Sequence, residues 1–358
     1  MWVFYILLLI PLAIQHFAIK KIGIDYRKKN QRALFFFFVL MTVLVALRHE
    51  SVGNDTKNYI HYFERFSQLS WGQCGKATME WGFVCYNKMI SLFTQDPQVF
   101  LAVTVVVTMS MIYPTYRRLC KDSSLTLVLY VTMSTFVMAF SGIRQMLAIG
   151  IGFLAYECVR NKKIIPFILL MGLAMTFHDS AFMLVFMYPL YHAKITKKWL
   201  LVVVPVLAVV FTFNQKIFFV LGLVLARFTK YDASIEQTGA FTMLILFIIF
   251  AVFAFLIPDE NMLDAETIGL RNFLLFSIVL QMFAPLHAVA MRMNYYYMIF
   301  IPVMLPKIIE ARSAQWEQIA RVGRHIMVIF FLVYFFYSAY TGSDNLNVFP
   351  YHFFWEEL

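Results

Sequence analysis

Charged residues are scarce in this chain. Over its 358 residues, Asp, Glu, Lys and Arg together make up 14%, whereas a soluble domain carries about a quarter. The chain has no linker rich in Gly, Pro or Ser, no internal repeat, and no alternating run long enough for a strand of a membrane barrel. It has only four cysteines, and no His, Cys, Asp or Glu cluster has the spacing of a metal site. These absences argue against a set of soluble domains, and they give no sign of a metal or a cofactor.

Apolar residues take the place of the missing charge. They make up 61% of the chain, and the mean hydropathy is +0.72. A helix needs roughly 20 largely apolar residues to cross ~30 Å of hydrocarbon. The sequence therefore predicts an all-α, polytopic integral membrane helix bundle, with residues 1–358 forming a single membrane domain. About 12 transmembrane helices are predicted, at residues 2–18, 33–47, 97–115, 124–140, 143–158, 164–178, 180–192, 199–213, 240–257, 271–290, 295–310 and 325–341.

The basic residues orient this predicted bundle. Two thirds of the 30 Lys and Arg residues fall on one side of it. Because cytoplasmic connections carry an excess of basic residues, that side is predicted to be cytoplasmic and both termini are predicted to be extracytoplasmic. The net charge of +10 is then mainly a topology signal. No basic segment has the aromatic interleaving of a nucleic-acid module, so no nucleic-acid partner is expected.

Two apolar segments need a separate decision. The first run follows only Met1 and has no small-residue cleavage site, so we expect a retained helix and not a cleaved signal peptide. The segment 217–226 is too short for an ordinary span and suits an interfacial or re-entrant helix better. If it crossed the membrane, everything after it would invert and the basic connection 307–324 would lie outside, against the charge rule.

One large polar connection, the 48–96 loop, is predicted to be extracytoplasmic. It is predicted to contain two short amphipathic helices that lie along the membrane surface. In the first, aromatic residues from Tyr59 onward recur at helical spacing, and Asn54 or Asp55 is placed to cap the N-terminus. The second covers about 80–94.

The four cysteines divide between the two predicted sides. Cys120 and Cys158 lie at cytoplasmic ends and are expected to be reduced thiols. Cys74 and Cys85 share the 48–96 loop, where a disulfide could form. Two free thiols packed in apolar surroundings explain the pair equally well. The sequence does not choose between these alternatives.

Four groups of polar residues break the apolar background at the predicted outer ends of spans. A charge beside hydrocarbon costs at least a few kcal/mol, so each group needs a reason. The groups are Arg48, His49, Glu50, Asp55 and Thr56; Arg144 and Gln145; His178, Asp179 and Ser180; and Arg292, Asn294 and Tyr295 to Tyr297. If the helices bundle, these side chains could line one outward-facing cavity.

Taken singly, most of these residues have an ordinary explanation. Asp55 suits a helix cap, Arg48 can snorkel to the interface, and His178 can be a simple turn residue. Arg144 is harder to dismiss, because it lies in a tight turn at the start of a predicted helix, where the backbone dipole favours anions. A guanidinium beside a helix N-terminus suits a phosphate group. Together with Arg292, these arginines favour an anionic ligand.

The motifs resemble those of the EpsG family of membrane proteins, which are Wzy-like exopolysaccharide polymerases. The matching residues are Arg48 with Val52-Gly53-Asn54-Asp55-Thr56 and Tyr59; Glu80-Trp81-Gly82-Phe83 with Asn87; Arg144-Gln145 with Ala148; and Phe177-His178 with Ser180-Ala181-Phe182. The order and topology match over about the first 195 residues. The second half matches only in hydropathy and in a late arginine. The family commonly has Thr where this chain has Asn54, a difference from which we expect no functional consequence.

The resemblance implies a glycosyltransferase that polymerises oligosaccharide repeats carried on undecaprenyl pyrophosphate, at the outer face of a bacterial cytoplasmic membrane. It implies a polytopic fold that can be GT-C-like, and partners in the form of membrane lipid, a chain-length regulator and a flippase. Departure of undecaprenyl pyrophosphate builds negative charge, which arginines can stabilise without a metal. The expected catalytic residues are His178, Asp55 and Arg144. The expected pyrophosphate ligands are Arg48, Arg144 and Arg292. The expected glycan-binding residues are His49, Thr56, Tyr59, Glu80, Gln145 and Tyr295.

Three other functions are weighed against the polymerase. A flippase for the same lipid-linked sugar would need polar residues through the full depth of the bundle, whereas the predicted mid-span positions are nearly all apolar. An O-antigen ligase would release the same pyrophosphate but transfer the glycan to a lipid core. A membrane acyltransferase would usually have a His deep in a span or on the cytoplasmic side, and His178 is predicted to be outside. The polymerase therefore fits best.

Overall fold

A computed structural model of the chain describes residues 2–18, 24–225, 238–342 and 346–358. Within these ranges the protein is all-helical, and the only β-type pairs are two isolated bridges. The helical prediction is therefore confirmed. Its physical basis is that a helix satisfies its own backbone hydrogen bonds, as a segment in lipid must.

Contacts between residues divide the chain into two units. Unit one comprises Met1–Phe182 and Val322–Leu358. Its helices are α1 (Trp2–Ala18), α2 (Ile24–Ala46), α3 (Thr56–Ser67), α4 (Trp81–Ser91), α5 (Pro97–Leu119), α6 (Ser123–Thr132), α7 (Met138–Ser141), α8 (Ile143–Arg160) and α9 (Ile164–Met175), together with most of α17 (Glu317–Tyr340). A 3-10 helix, Trp71–Lys76, lies between α3 and α4.

Unit two comprises Met183–Arg321. Its helices are α10 (Met187–His192), α11 (Leu200–Thr212), α12 (Asn214–Leu225), α13 (Thr238–Leu256), α14 (Ala265–Gln281), α15 (Ala288–Met298) and α16 (Ile301–Glu310). A fully buried Arg271 on α14 holds one end of this unit, bonding to the Glu260 carboxylate at 2.8 Å and to the carbonyl oxygen of Ile195 at 2.8 Å. A buried amide pair, Asn294 and Gln281, joins α15 to α14 at 2.8 Å.

Several described helices are apolar enough for a membrane, but they do not confirm twelve spans. By length and composition, three helices could cross: Tyr26–Ala46, Pro97–Leu119 and Ala314–Tyr340. A fourth crossing exists if Lys197–Thr212 and Asn214–Val220, which are bent by 74°, form one broken span. Four more apolar helices are shorter: Trp2–Ala13, Ser123–Thr132, Ile164–Met175 and Ala240–Leu256. The protein is therefore a helical membrane protein, and the predicted count of about 12 spans is not confirmed among the described residues.

Several of the predicted spans are interrupted in the described structure. The predicted span 124–140 is split into α6 and α7, with Ser134 at a positive φ of 64° in the break. The predicted spans 271–290 and 295–310 become three helices, because α14 ends at Gln281 and α15 ends at Met298. Apolar composition alone does not reveal such breaks, since a buried turn can be as apolar as a helix. The 217–226 segment belongs largely to α12, and its last residue lies outside the described ranges.

The 48–96 loop contains both predicted short helices, α3 and α4. The apolar face of α3, formed by Tyr59, Phe63 and Phe66, is buried in one cluster with Phe83 of α4 and Phe100 of α5. Burying each large side chain stabilises the fold by ~1.5–3 kcal/mol. The apolar face of α3 therefore packs on protein, and the placement of the two helices along the membrane surface stays a prediction.

Candidate active site

Glu80 is the centre of a polar cluster in unit one. It occupies the N-cap position of α4 but makes no capping bond with its side chain. Its carboxylate instead accepts a hydrogen bond from Nη1 of Arg144, at the start of α8. The other carboxylate oxygen, Oε1, accepts from the backbone N–H of Asp179 at 3.3 Å and lies 3.6 Å from Nδ1 of His178. Residues from three distant motifs therefore meet at one carboxylate.

Tyr59 of α3 adds a fourth member to this cluster. Its phenol is buried and forms hydrogen bonds with both the side chain and the backbone of Arg144. Burial raises the pKa of the Tyr59 phenol, although the charge of Arg144 acts in the opposite direction. The carboxylate of Asp55 is near enough to add to the rise. We call Tyr59, Glu80, Arg144 and His178 the Glu80 cluster.

Close backbone packing brings Glu80 and His178 together. The backbone N–H of Phe83 donates to the carbonyl oxygen of Thr176 at 3.2 Å, which ties the start of α4 to the end of α9. A Cβ at Gly82 would overlap the side chain of Thr176, so only glycine permits this approach. Glu80 lies two residues before Gly82, and His178 lies two residues after Thr176. The glycine therefore explains why the two side chains face each other.

Charges in the cluster keep Glu80 ionised. Burial alone would raise the pKa of its carboxyl, but the imidazole of His178 and the guanidinium of Arg144 outweigh that effect and lower the pKa to about 2. A carboxylate with such a pKa is a weak base near neutral pH. Glu80 is therefore suited to holding Arg144 and His178 in place.

One hydrogen-bond donor of the Arg144 guanidinium has no partner in the described structure. Its Nε–H is buried and has no acceptor among the described residues. An unsatisfied buried donor costs about 1–3 kcal/mol, so such a group calls for a partner. Helix α8, in which Arg144 is the second residue, has Gly142 at its N-cap and no side-chain cap. The start of α8 therefore presents positive charge and hydrogen-bond donors, which is the arrangement that binds anions.

Arg48 lies in a different setting, buried beneath the C-terminal tail, residues 346–358. It is 1% exposed, its Nη1 donates to the carbonyl oxygen of Val45 at 2.6 Å, and its Nε donates to Oγ1 of Thr56 at 3.5 Å. Burial lowers its pKa to about 10, so the guanidinium stays charged at neutral pH. Its Nη2 has no acceptor among the described residues, and Arg48 lines a small cavity together with residues mostly from α5 and α8.

The C-terminal tail pairs with the residues that follow α2. The N–H of His49 donates to the carbonyl oxygen of His352 at 2.9 Å, and the N–H of Gly53 donates to that of Asn347 at 2.8 Å. Arg48 and Phe353 form an antiparallel bridge. The sequence did not predict this backbone pairing, because the tail has no distinguishing feature apart from its many aromatic residues.

No curated protein and no solved structure matches this chain. A comparison with family models does give a match. The model described as the EpsG family matches residues 32–353, nearly the whole chain. The chain belongs to the EpsG family. The resemblance seen in the first 195 residues therefore extends through the second half, and membership indicates a role as a polysaccharide polymerase in general terms.

The EpsG-type motifs do not all meet at the Glu80 cluster. Thr56 is fully buried, and its hydroxyl donates to the carbonyl oxygens of Val52, at 2.6 Å, and Phe140, at 3.0 Å. Gln145 is buried at the start of α8, and His49 bonds locally with Ser51 at 2.9 Å. Asp55 stands at the N-cap of α3, yet its side chain makes no capping bond.

The remaining predicted residues belong to unit two. Arg292 is exposed on α15, and Tyr295 is buried on the same helix.

Among the residues that the structure describes, no group of three or more His, Cys, Asp or Glu side chains could hold a metal ion. The sequence predicts Glu80 only as a glycan-binding residue, and its position between Arg144 and His178 was missed. The one signal was its place in a Glu-Trp-Gly-Phe motif.

Proposed function

We propose that this protein is a glycosyltransferase that polymerises oligosaccharide repeats carried on undecaprenyl pyrophosphate. In this proposal the growing glycan leaves its carrier at the outer face of a bacterial cytoplasmic membrane and joins the non-reducing end of a new repeat. Undecaprenyl pyrophosphate is released. Membership of the EpsG family supports the general class, and the chemistry of the Glu80 cluster supports the details.

The observation that carries the proposal is the environment of Arg144. Its guanidinium lies near a helix N-terminus that has no side-chain cap, pairs with Glu80, and keeps a buried Nε–H without an acceptor among the described residues. Departure of the glycan leaves a negative charge on the pyrophosphate. A pre-positioned guanidinium stabilises that charge more in the transition state than in the ground state, which is the requirement for catalysis.

His178 is the proposed acceptor of the proton from the attacking hydroxyl. Glu80 lies 3.6 Å from Nδ1, so the ionised carboxylate helps to hold the ring, while Nε2 remains for the substrate. Histidine is the side chain that most often transfers protons in general acid–base catalysis. We assign Asp55 to binding the acceptor sugar, because it lies close to Tyr59 and is free of a capping role in the structure.

The other predicted ligands take secondary places in the proposal. A carrier pyrophosphate would reach Arg48 only after the C-terminal tail had moved, so we assign Arg48 mainly to holding the loop that bears Asp55. Arg292 remains a proposed pyrophosphate ligand on the grounds of charge and exposure. His49, Tyr59, Gln145 and Tyr295 remain proposed glycan contacts. A flippase and a chain-length regulator are proposed partners, both termini are proposed to be extracytoplasmic, and the catalytic charge is proposed to come from arginine.

A reconstituted polymerisation assay tests the proposal. Purified protein in proteoliposomes receives an undecaprenyl-pyrophosphate-linked repeat, and the product is read as a ladder of chain lengths. We expect Arg144→Ala to abolish the ladder and Arg144→Lys to restore little of it, because Lys lacks the planar fork of donors. Full polymer from well-folded Arg144→Ala protein would refute the role.

The chain offers a matched control, an ion pair between α5 and the far end of α8. Arg118 pairs with Glu157 at 2.7 Å, and Glu157 lies near the far end of α8, about 20 Å from Arg144 at ~1.5 Å of rise per residue. Arg118→Ala removes the same kind of ion pair, so we expect it to leave the ladder intact. If lipid-linked sugar crosses the bilayer without a ladder forming, the flippase alternative replaces the polymerase.

A further inference from the structure

The structure brings the two cysteines of the 48–96 loop into one apolar cluster. Cys74, in the 3-10 helix Trp71–Lys76, is a buried member of the cluster formed by α3, α4 and α5. Cys85, in α4, packs against the same cluster and is partly exposed, and both cysteines are free thiols in the structure. The 3-10 helix packs directly on α4, and the two thiols are close enough to hydrogen-bond to each other.

We infer that Cys74 and Cys85 form a disulfide that ties the 3-10 helix Trp71–Lys76 to α4. The inference rests on the extracytoplasmic placement of the loop in the proposed function, because disulfides persist in that compartment. The disulfide would fix α4 against the 3-10 helix Trp71–Lys76. Glu80 is the N-cap residue of α4, so its position would be fixed as well. The disulfide would therefore act as a positioning element for the Glu80 cluster.

Cys85 is the thiol that reacts first. It is the more exposed of the two, whereas Cys74 is 2% exposed and its thiol donates to the carbonyl oxygen of Ser70 at 3.5 Å. Burial and the neighbouring Cys74 raise the pKa of the Cys85 thiol, so little thiolate forms near neutral pH and uncatalysed oxidation is slow. The reaction therefore needs a thiol–disulfide oxidoreductase of the same compartment as its oxidant.

The exchange has two balanced steps. The Cys85 thiolate attacks the disulfide of the oxidoreductase, forms a mixed disulfide and displaces one of its sulfurs as a thiol. Sγ of Cys74 then loses its proton and attacks Sγ of Cys85, which displaces the second oxidoreductase sulfur. The two protons and two electrons removed from the cysteines leave on the oxidoreductase as a dithiol.

Tryptic digestion can show directly whether Cys74 and Cys85 are linked. Lys76 lies between the two cysteines, and Arg65 and Lys88 flank them, so cleavage yields the separate peptides 66–76 and 77–88. Membranes from expressing cells are trapped with an alkylating reagent before lysis, and the protein is then purified and digested. We expect the two peptides joined, lighter than their sum by two hydrogens, and separated only after reduction. Recovery of both peptides with alkylated thiols would overturn the inference.

Two controls separate the possible causes of a negative result. Purified protein treated with oxidised glutathione tests whether the thiols can meet at all, independently of the compartment. Peptides that stay separate after this treatment also overturn the inference, while the polymer ladder, measured on the same preparation, reports the proposed function independently. A Cys74→Ala variant should leave Cys85 alkylated. A linked Cys85 peptide in that variant would show pairing with another cysteine and would count against the inference.

Stability gives a second readout. A reductant should lower the unfolding temperature of the wild type but not that of the Cys74→Ala/Cys85→Ala variant, whose remaining cysteines are Cys120 and Cys158. An equal shift in both proteins would contradict the inference.

Discussion

Removing the charge of Glu80 should destabilise the protein by an amount that depends on pH. The environment lowers the pKa of this carboxyl from its ordinary 4.5 to about 2. Because one pKa unit corresponds to ~1.4 kcal/mol, the folded state favours the ionised carboxylate by about 3 kcal/mol. The side chain is only 14% exposed, so solvent screening reduces this figure little. Glu80→Gln keeps the size of the side chain and removes the charge.

The sign of the pH dependence follows from the lowered pKa. The contribution of Glu80 to stability is fully present above about pH 4.5, decreases as the pH falls toward 2, and is absent below that value. At pH 7 we therefore expect Glu80→Gln to lower the free energy of unfolding by about 3 kcal/mol. Near pH 2 the variant and the wild type should have nearly equal stability.

The measurement is denaturant unfolding in detergent, followed by tryptophan fluorescence at several pH values. Glu157→Gln is the control, because Glu157 is about one third exposed and pairs with Arg118 and Arg160 nearer solvent. Pairs of that kind contribute ~0.2–1 kcal/mol. A loss at Glu80 no larger than at Glu157, or a loss that stays constant down to low pH, would refute the electrostatic account of the cluster.

Four further expectations follow from the structure and the proposal. His178→Ala should lower the polymerisation rate by about 10²–10⁴-fold without unfolding the protein, and an unchanged rate in the ladder assay would remove its proton-transfer role. Asp55→Asn and Asp55→Ala should have equal stability, because the side chain makes no capping bond; an extra loss of ~1 kcal/mol in the Ala variant would show that it caps α3 in solution. Gly82→Ala should lower both the unfolding midpoint and the ladder, because the new methyl group meets Thr176, and a variant that matches the wild type in both would contradict the close packing. Single cysteines placed in 307–324 should resist an impermeant thiol reagent added from outside, and labelling there would reverse the predicted orientation.

The two units differ in how visible their polar groups are in the sequence. In unit one, the Arg-Gln and Phe-His motifs stand out because they interrupt long apolar runs. In unit two, the sequence shows Arg271 only as one of the basic residues between predicted spans that orient the bundle. The fold buries it against Glu260 and the backbone of Ile195. Its partners are 11 and 76 residues away, so no local pattern could predict them.

The sequence alone determined the class of the protein and much of its helical layout. Long apolar runs can satisfy their backbone groups in lipid only as helices, which is why α1, α5, α8 and α13 begin within two residues of their predicted positions. Helical spacing of aromatic residues likewise revealed α3. The spaced motifs identified the EpsG family, and the comparison with family models confirmed it.

Only the tertiary structure decided which polar residues meet. Glu80 joins Arg144 and His178 because Gly82 lets α4 approach Thr176 closely, and a contact between residues about a hundred positions apart leaves no periodic trace in the chain. The same holds for Arg48, which looked like a residue free to reach the interface but is enclosed by a tail some three hundred residues later. Local patterns report the solvent that each segment prefers, whereas pairing depends on shapes and charges that come together only when the chain is folded.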